Sequence, residues 1–210
     1  VNVFESAAAR GILRVVAASS SSVYGNDTPL PAREDAPSIE PASPYAASKR
    51  SMELLALACA RRVPDMSFSA LRFFTVYGPR QRPEMAITKF ARALLKGDPL
   101  PIFGDGSMRR DFTHISDIVQ GVLAAERRTS TGFRAFNLGS GSPITLSDLV
   151  VALAAASGRS SELIHEPQPL GDVDATFADI ARAGAELAWQ PQVPLASGLA
   201  TVFDWLANRR

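Results

Sequence analysis

Short apolar runs alternate with longer amphipathic stretches along this chain. Residues 14–20 (RVVAASS) and 67–74 (SFSALRFF) are short and rich in apolar positions, which is typical of buried strands in a parallel sheet. Between them, residues 44–62 have apolar positions at helical spacing, and Ser43-Pro44 provides a capping residue and a first-turn proline. The packed face of this helix is predicted to contain Met52, Leu55, Ala56 and Cys59.

The remainder of the chain continues this alternation. Further strands are predicted at residues 100–103, 112–115, 135–138 and 162–165, and further helices at residues 1–10, 85–96, 117–127, 146–157, 178–187 and 196–208. Residues 26–44 carry five prolines and are predicted to form a loop. Strands that alternate with helices indicate an α/β fold with a mainly parallel sheet.

The composition excludes several functional classes. The 210 residues carry a net charge of +1 with no basic tail or stripe, so we expect no nucleic-acid partner. The two histidines, His114 and His165, lie far apart in sequence and indicate no metal centre. Neither a membrane-spanning apolar run nor a signal peptide is visible, so we expect a cytoplasmic protein without a membrane partner.

The strongest chemical signal is a tyrosine four residues before a lysine, at Tyr45 and Lys49. Residues at this spacing share one face of a helix, and an ammonium held near a phenol stabilises the phenolate. The motif follows a serine run, residues 19–22, at the end of a predicted strand. A serine hydroxyl delivered from that strand end can hold a substrate oxygen beside the tyrosine. Together these residues indicate oxidation of an alcohol.

A series of motifs in one order identifies a family resemblance. The chain contains RVVAASSSSVYG, SPYAASK, ALRFFTVYGPRQRPEM, PIFGDGSMRRDFTHISDIV and FNLGSGSPITLSDLV. This series resembles the extended short-chain dehydrogenase/reductases, and more closely the NAD-dependent nucleotide-sugar epimerases and dehydratases. The string that begins at Thr75 is most similar to that of UDP-glucose and UDP-glucuronate 4-epimerases. The resemblance covers nearly the whole chain.

The resemblance implies a fold and a catalytic group. We expect the C-terminal part of a Rossmann-type parallel sheet, made of residues 1–74 and about 111–139, which binds NAD. A smaller α/β domain, residues about 75–110 and 140–210, is expected to bind the nucleotide sugar. In the catalytic group, Tyr45 corresponds to the base and Lys49 to the residue that assists it and holds the nicotinamide ribose. Ser20 corresponds to the catalytic serine, with Ser21 as the alternative. Tyr45, Lys49 and Ser19 are the expected cofactor contacts.

Five substrate-binding residues are carried over by position. Arg110 matches an arginine that binds the diphosphate, and Phe103 matches the residue that lies against the uracil. Asp172 matches an acid near the nucleotide ribose, and Thr75 occupies a position where many members have an asparagine. Arg82 is expected to meet a phosphate or a uronate carboxylate. One departure is Pro169, which stands where members commonly carry an arginine or a glutamine.

Two further comparisons with the family bear on the reaction. The 4,6-dehydratases carry an acidic pair where this chain has Ser21 and Ser22, which favours epimerisation through a 4-keto sugar, or simple redox chemistry. The family's glycine-rich turn for NAD does not occur in these 210 residues, so we expect the chain to be incomplete at its N-terminus, with residues 14–20 as an unpaired sheet edge. The alternative is a non-catalytic binding or scaffold protein. A homodimer through helix 44–62 is a further expectation.

Overall fold

Helices and strands alternate throughout the computed structural model, which describes residues 2–37, 40–128, 130–167 and 174–208. In chain order the elements are α1 (Asn2–Ala9), β1 (Arg14–Ser20), a short 3-10 helix (Ser21–Tyr24), α2 (Pro44–Arg62), β2 (Ser67–Phe73), β3 (Thr75–Tyr77), α3 (Ala86–Lys96), β4 (Leu100–Phe103), β5 (Arg109–Arg110), β6 (Phe112–His114), α4 (Ile115–Arg128), β7 (Gly132–Leu138), β8 (Ile144–Thr145), α5 (Leu146–Ser157), β9 (Leu163–Glu166), α6 (Ala181–Leu187) and α7 (Leu195–Ala207). The predicted α/β alternation is confirmed.

A three-stranded parallel sheet in the order β1-β2-β7 lies between two helical layers. The last residues of the strands are in register, with Ser20 beside Phe73 and Phe73 beside Leu138. Strand β2 is central and almost wholly buried, whereas β1 is half-exposed and pairs only with β2 among the described strands. The carboxyl ends of parallel strands form the edge at which α/β sheets bind ligands. The serine run therefore lies at the edge where a site is expected.

Helices α1 and α2 cover one face of this sheet. Ala56 and Ala60 pack with Phe4, Met66 and Phe68 in one apolar cluster. Helix α2 begins as predicted, because Ser43 Oγ accepts a hydrogen bond from the Ala46 amide. The prediction of its packed face is partly wrong, since Leu55 is 39% exposed and Glu53, which was not predicted there, is 1% exposed. The face is rotated because the Glu53 carboxylate bonds to Arg72 on β2.

Helices α4 and α6 cover the opposite face. Ile118 of α4 and Leu187 of α6 pack on Leu71 and Phe136 of the sheet, together with Trp189. Helix α6 therefore lies beside the sheet, although the predicted partition assigns residues 140–210 to the substrate-binding domain. That partition stays a prediction. Helix α6 begins at Ala181 rather than at residue 178, because Ala178 donates its amide to Asp111.

A second apolar cluster lies among helices α3, α5 and α7. Its fully buried residues include Ile87, Leu94, Leu149, Leu153, Leu199 and Val202. Helix α5 begins with a capping box, in which Thr145 and Asp148 exchange side-chain to backbone hydrogen bonds. Three two-stranded sheets, β3-β6, β4-β9 and β5-β8, complete the strands of the described chain.

None of the helices in the described part of the chain combines the length and the apolar character that crossing a bilayer requires.

Candidate active site

The serine run turns sharply at the carboxyl end of β1. Ser20 is extended, and its Oγ accepts hydrogen bonds from the Ser22 amide at 3.2 Å and from Ser22 Oγ at 2.9 Å. The Ser20 side chain therefore caps the 3-10 helix that follows and is held in a fixed orientation. Ser19, by contrast, is 2% exposed and donates its hydroxyl to Glu53 Oε1 at 2.7 Å.

Tyr45 and Lys49 lie on the first two turns of α2. The Lys49 Nζ atom is 5.6 Å from the centroid of the Tyr45 ring and donates a hydrogen bond to the Ala18 carbonyl at 2.9 Å. The Tyr45 side chain is 55% exposed, so its phenol is accessible to a ligand. The predicted pairing of the phenol with an ammonium on one helix face is present.

A cavity of about 470 Å³ joins the serine run to the first turn of α2. We name it the serine cavity. Its wall includes Ser21, Ser22, Ser43, Ala46 and Phe74, and the segment 174–177 closes another side. Hydroxyl groups from two elements thus face one space. Ala46 belongs to its wall, whereas Ser20, Tyr45 and Lys49 are not among the described residues that line it. Such a surface suits a polyhydroxylated ligand, because it offers several donors and acceptors.

A second cavity, of about 280 Å³, lies between α3 and strands β4 to β6. We name it the aromatic cavity. Phe103 and Phe112 form apolar walls, and Thr75, Lys89 and Arg110 contribute polar groups. Lys89 Nζ lies 5.9 Å from the centroid of the Phe103 ring. A planar ring beside Phe103 would therefore also lie near a cation.

The two cavities adjoin. Phe74 lines the serine cavity, and its chain neighbour Thr75 lines the aromatic cavity. On the other side, Arg110 of the aromatic cavity donates through Nη1 to the backbone carbonyl of Asp174, which lines the serine cavity. A guanidinium thus lies between a space lined by hydroxyls and a space lined by aromatic rings. An elongated ligand with an anionic centre fits this order of surfaces.

Three further predicted site residues lie away from both cavities or outside the described residues. The Arg82 side chain is 74% exposed and pairs with Glu84 at 3.4 Å, outside the walls of both cavities. Asp172 lies outside the described residues, as does Pro169. Ser19 faces Glu53, and its assignment as a cofactor contact stays a prediction.

The family model for NAD dependent epimerases and dehydratases matches residues 1–139, which include the serine run, Tyr45, Lys49 and Arg110. The chain belongs to this family.

Two relatives of the chain are named for a specific enzymatic activity. The chain is 36% identical to a UDP-glucuronate 4-epimerase of Thermodesulfobacterium geofontis, over 93% of this chain and 59% of the relative. It is 38% identical to a UDP-glucose 4-epimerase of Mycolicibacterium smegmatis, over 100% of this chain and 67% of the relative. Against a further relative, an uncharacterized protein of Methanocaldococcus jannaschii, it spans 64% of the length. The chain thus spans about three fifths to two thirds of the length of these relatives.

Two solved structures that contain UDP-glucuronic acid and NAD are similar in fold to this chain. MoeE5 in complex with UDP-glucuronic acid and NAD has a TM-score of 0.90 and 39% identity, over 99% of this chain and 69% of that one. UDP-glucuronic acid 4-epimerase from Bacillus cereus, in complex with UDP-glucuronic acid and NAD, has a TM-score of 0.85 and 35% identity, over 94% of this chain and 62% of that one. The predicted Rossmann-like epimerase fold is confirmed.

Sequence reasoning missed Asp111, which organises the border between the cavities. Its carboxylate is 0% exposed and accepts hydrogen bonds from the backbone amides of Ser140, Gly141 and Ala178. The same region leaves no room for a side chain at residue 139, because a Cβ added to Gly139 would clash with the Ala178 Cβ and lie 3.0 Å from Asp111 Oδ2. An aspartate immediately before the predicted strand 112–115 was the available signal, since a charge beside an apolar segment requires partners when it is buried.

Sequence reasoning also missed a buried polar network behind the serine cavity. Arg72 lies over the Tyr24 ring at 4.7 Å, and Tyr24 donates its hydroxyl to Asn137 Oδ1 at 2.6 Å. Asn137 in turn donates to the carbonyls of Ala32 and Asp179. The network joins β2, β7 and the proline-rich loop, so it fixes the wall of the serine cavity. Arg72 and Asn137 inside predicted buried strands were the signal for it.

Ionisation of the buried Tyr24 phenol should lower the stability of the protein at alkaline pH. Burial raises the pKa of Tyr24 to about 12, although the nearby Arg72 charge acts to lower it. A phenol in the unfolded chain titrates near pH ~10, so the stabilisation by the neutral phenol is complete below that pH and is lost as the pH rises to about 12. We expect the unfolding free energy to fall by up to about 3 kcal/mol over this range. Urea unfolding at several pH values measures it.

The matched variants for this prediction are Tyr24→Phe and Tyr45→Phe. Tyr24→Phe should lower stability at neutral pH by about 1 kcal/mol, through loss of the bond to Asn137, and should flatten the alkaline decline. The exposed Tyr45 serves as the control, and its replacement should leave the decline unchanged. Part of the decline should persist in Tyr24→Phe, because burial also raises the pKa of Tyr77. An unchanged slope in Tyr24→Phe would contradict the assignment.

Proposed function

We propose that the protein catalyses NAD-dependent epimerisation of a nucleotide sugar at C4, with a UDP-hexose or a UDP-uronate as substrate. One observation carries the proposal: the serine cavity, whose wall includes Ala46 next to Tyr45 in the chain, adjoins the aromatic cavity at Arg110. In this arrangement the sugar occupies the serine cavity and the nucleoside the aromatic cavity. The diphosphate crosses at Arg110, where a guanidinium can bind two phosphate oxygens.

Firm binding of the nucleoside end and loose binding of the sugar suit an epimerase. Phe103 offers an aromatic face to the base, and Lys89 and Arg110 offer cations to the diphosphate. The serine cavity offers small hydroxyl side chains, which hydrogen-bond to a sugar in more than one orientation. A keto sugar held by its nucleotide can therefore turn within the site before it is reduced. Binding energy at the remote nucleotide serves to position the reacting carbon.

Tyr45, Ser20 and Lys49 carry the proton chemistry. The Tyr45 oxygen accepts the proton of the C4 hydroxyl as the C4–H bond breaks and the C4 carbonyl forms. Ser20, whose Oγ accepts hydrogen bonds from the Ser22 amide and hydroxyl, is proposed to donate its own hydroxyl to the same sugar oxygen. Lys49 Nζ lies 5.6 Å from the centroid of the Tyr45 ring, where an ammonium assists proton transfer to the phenol oxygen. After the ring turns, Tyr45 returns the proton to the oxygen while C4 regains hydrogen on its opposite face.

The residues present suit the nicotinamide end of NAD. Tyr45 and Lys49 lie at the carboxyl edge of the parallel strands, and Lys49 uses one of its three donors on Ala18. The remaining ammonium hydrogens can bond to the vicinal hydroxyls of a ribose. NAD, when bound, accepts the C4 hydride and returns it. Ser19 stays a proposed backbone contact of the cofactor.

The substrate class rests on two kinds of support. Two of the relatives named above are a UDP-glucuronate 4-epimerase and a UDP-glucose 4-epimerase, and both solved structures named above contain UDP-glucuronic acid. Thr75 lines the aromatic cavity next to the junction, and Arg82 lies on the loop before α3. We propose that Thr75 faces the diphosphate and that Arg82 meets a phosphate or a uronate carboxylate once substrate is bound. For this, Arg82 has to exchange its exposed pairing with Glu84 for the ligand.

The decisive experiment is a nucleotide-sugar panel. The protein, expressed from its complete reading frame, is supplied with NAD and with UDP-glucose, UDP-glucuronate, their dTDP and GDP counterparts, and the product epimers are separated. Conversion of a UDP-sugar to its C4 epimer supports the proposal. Binding of NAD and of a UDP-sugar without formation of an epimer would favour another redox enzyme and would contradict the non-catalytic scaffold protein. Absence of NAD binding would reject both an epimerase and another redox enzyme and would favour the non-catalytic binding or scaffold protein.

We propose a homodimer through helices α1 and α2. Val3, Leu54 and Leu55 are 73%, 50% and 39% exposed on these two adjacent helices. Apolar side chains on neighbouring exposed helix faces are typical of an interface between subunits. Leu54→Glu is expected to give a monomer in sedimentation velocity at micromolar concentration, with an unchanged melting temperature. The matched control is Val151→Glu, at a 68% exposed position on α5, which should leave the dimer intact.

A further inference from the structure

A buried carboxylate on α2 takes no part in the proposed chemistry. The Glu53 side chain is 1% exposed and accepts two hydrogen bonds from Arg72, from Nε at 2.9 Å and from Nη2 at 2.8 Å. It also accepts hydrogen bonds from Ser19 Oγ at 2.7 Å and from Arg50 Nη1 at 3.1 Å. Four donors therefore fix the carboxylate in a single orientation.

Glu53 shares a helix face with the proposed catalytic pair. Tyr45, Lys49 and Glu53 follow one another at intervals of four residues, which turn by only about 40° per step on an α-helix. Lys49 bonds to the Ala18 carbonyl, and Glu53 bonds to the Ser19 hydroxyl. Helix α2 is thus attached to two consecutive residues of β1, immediately before Ser20. The bidentate bond to Arg72 adds a third attachment, to β2.

We infer that Glu53 is a positioning residue for the proposed epimerase, which fixes helix α2 along its axis and thereby sets Tyr45 opposite Ser20. The inference rests on the proposed function. Its physical basis is that Tyr45 and Ser20 belong to different elements, and the contacts of Lys49 and Glu53 with β1 hold those elements in register. Displacement of a reacting group by about 1 Å can reduce a rate by about 100-fold.

Stability alone accounts poorly for this arrangement. Burial acts to raise the pKa of Glu53, but hydrogen bonds and charge from Arg72 outweigh it, so the pKa is lowered and the carboxylate stays ionised. A buried ion pair repays its desolvation only partly, and apolar side chains of similar volume often stabilise a fold as well. What an apolar pair cannot supply is directional attachment of α2 to Ser19 and Arg72.

The first test compares Glu53→Gln with Glu126→Gln. Glu126 faces Arg14 of β1 at 3.9 Å and is 53% exposed, so it is a matched glutamate on the opposite side of the same strand. For Glu53→Gln we expect kcat to fall about 10- to 100-fold with KM for the nucleotide sugar changed less than about twofold. The control should keep both constants. A fall in kcat no larger than that of the control would overturn the inference.

The double variant Glu53→Met/Arg72→Met separates positioning from folding. It removes both buried charges, so its melting temperature should recover relative to Glu53→Gln. Its kcat should remain about 10-fold or more below that of the native protein, because α2 is no longer attached directionally. Recovery of kcat together with the melting temperature would show that Glu53 matters only for folding, and the inference would be wrong.

A readout without substrate distinguishes this inference from the proposed function. Amide hydrogen exchange of peptides that contain residues 18–22 should be faster in Glu53→Gln than in Glu126→Gln. This result is measurable whatever reaction the protein catalyses, so an inactive native protein would reject the proposed function alone. Equal exchange in the two variants would reject the positioning role, even if the native protein is an epimerase.

Discussion

Tyr45→Phe should lower kcat for C4 epimerisation by about 1,000-fold or more, because the phenyl ring has no oxygen to accept and return the proton. The Tyr45 side chain is 55% exposed, so loss of its hydroxyl should leave the melting temperature within about 1 °C of the native value. Binding of NAD should also persist, since Lys49 and the strand edge are unchanged. The measurement is a discontinuous assay of the two epimers, with NAD content read from absorbance.

The matched control is Tyr77→Phe. Tyr77 is 1% exposed and its hydroxyl makes one long contact, of 3.5 Å, with the Leu195 carbonyl. This variant should have a lower melting temperature and near-native kcat, whereas Tyr45→Phe should keep its melting temperature and lose kcat. Near-native turnover in Tyr45→Phe would refute the assignment of the base and, with it, the catalytic part of the proposed function.

Asp111→Asn should lower the free energy of unfolding by about 3 kcal/mol or more. The carboxylate accepts three backbone amides while fully buried, and an asparagine would turn an amide nitrogen toward at least one of these donors. Because the asparagine keeps one acceptor oxygen, either the amide of residue 140 or those of residues 141 and 178 would then lack an acceptor. Chemical denaturation followed by tryptophan fluorescence measures the change.

The control for this variant is Asp148→Asn. Asp148 also bonds to a backbone amide, that of Thr145, but it does so at the exposed start of α5. Its replacement should cost less than about 1 kcal/mol. Equal losses in the two variants would contradict the view that burial of Asp111 governs its contribution. Asp111→Asn should also weaken nucleotide-sugar binding, since residue 111 anchors the segment that meets Arg110.

Local patterns explain why much of the fold could be predicted. The start of α2 follows from Ser43-Pro44, and the start of α5 from Thr145 with Asp148, because each cap forms within one turn of chain. The Tyr45–Lys49 pair also follows from sequence alone, since a four-residue interval on a helix brings two side chains together.

Prediction failed where partners are distant in sequence. Leu55 was expected on the packed face of α2, but Glu53 occupies the interior because Arg72, 19 residues later, bonds to it. Helix 178–187 was predicted to start too early, because Ala178 is held by Asp111, 67 residues before it. Periodicity within a segment contains no information about such partners, which depend on the order of strands in the sheet.

The sequence by itself determined the alternation of strands and helices, the capped start of α2 and the Tyr45–Lys49 pair, since these depend on contacts within a few residues. Its motifs also carried the resemblance to the epimerases. Only the tertiary structure decided that β7 lies beside β2, that Arg110 lies between the serine and aromatic cavities, and that Glu53 attaches α2 to β1 and β2. The reason is physical: a buried charge selects its partner from whatever residues the packed elements bring near it.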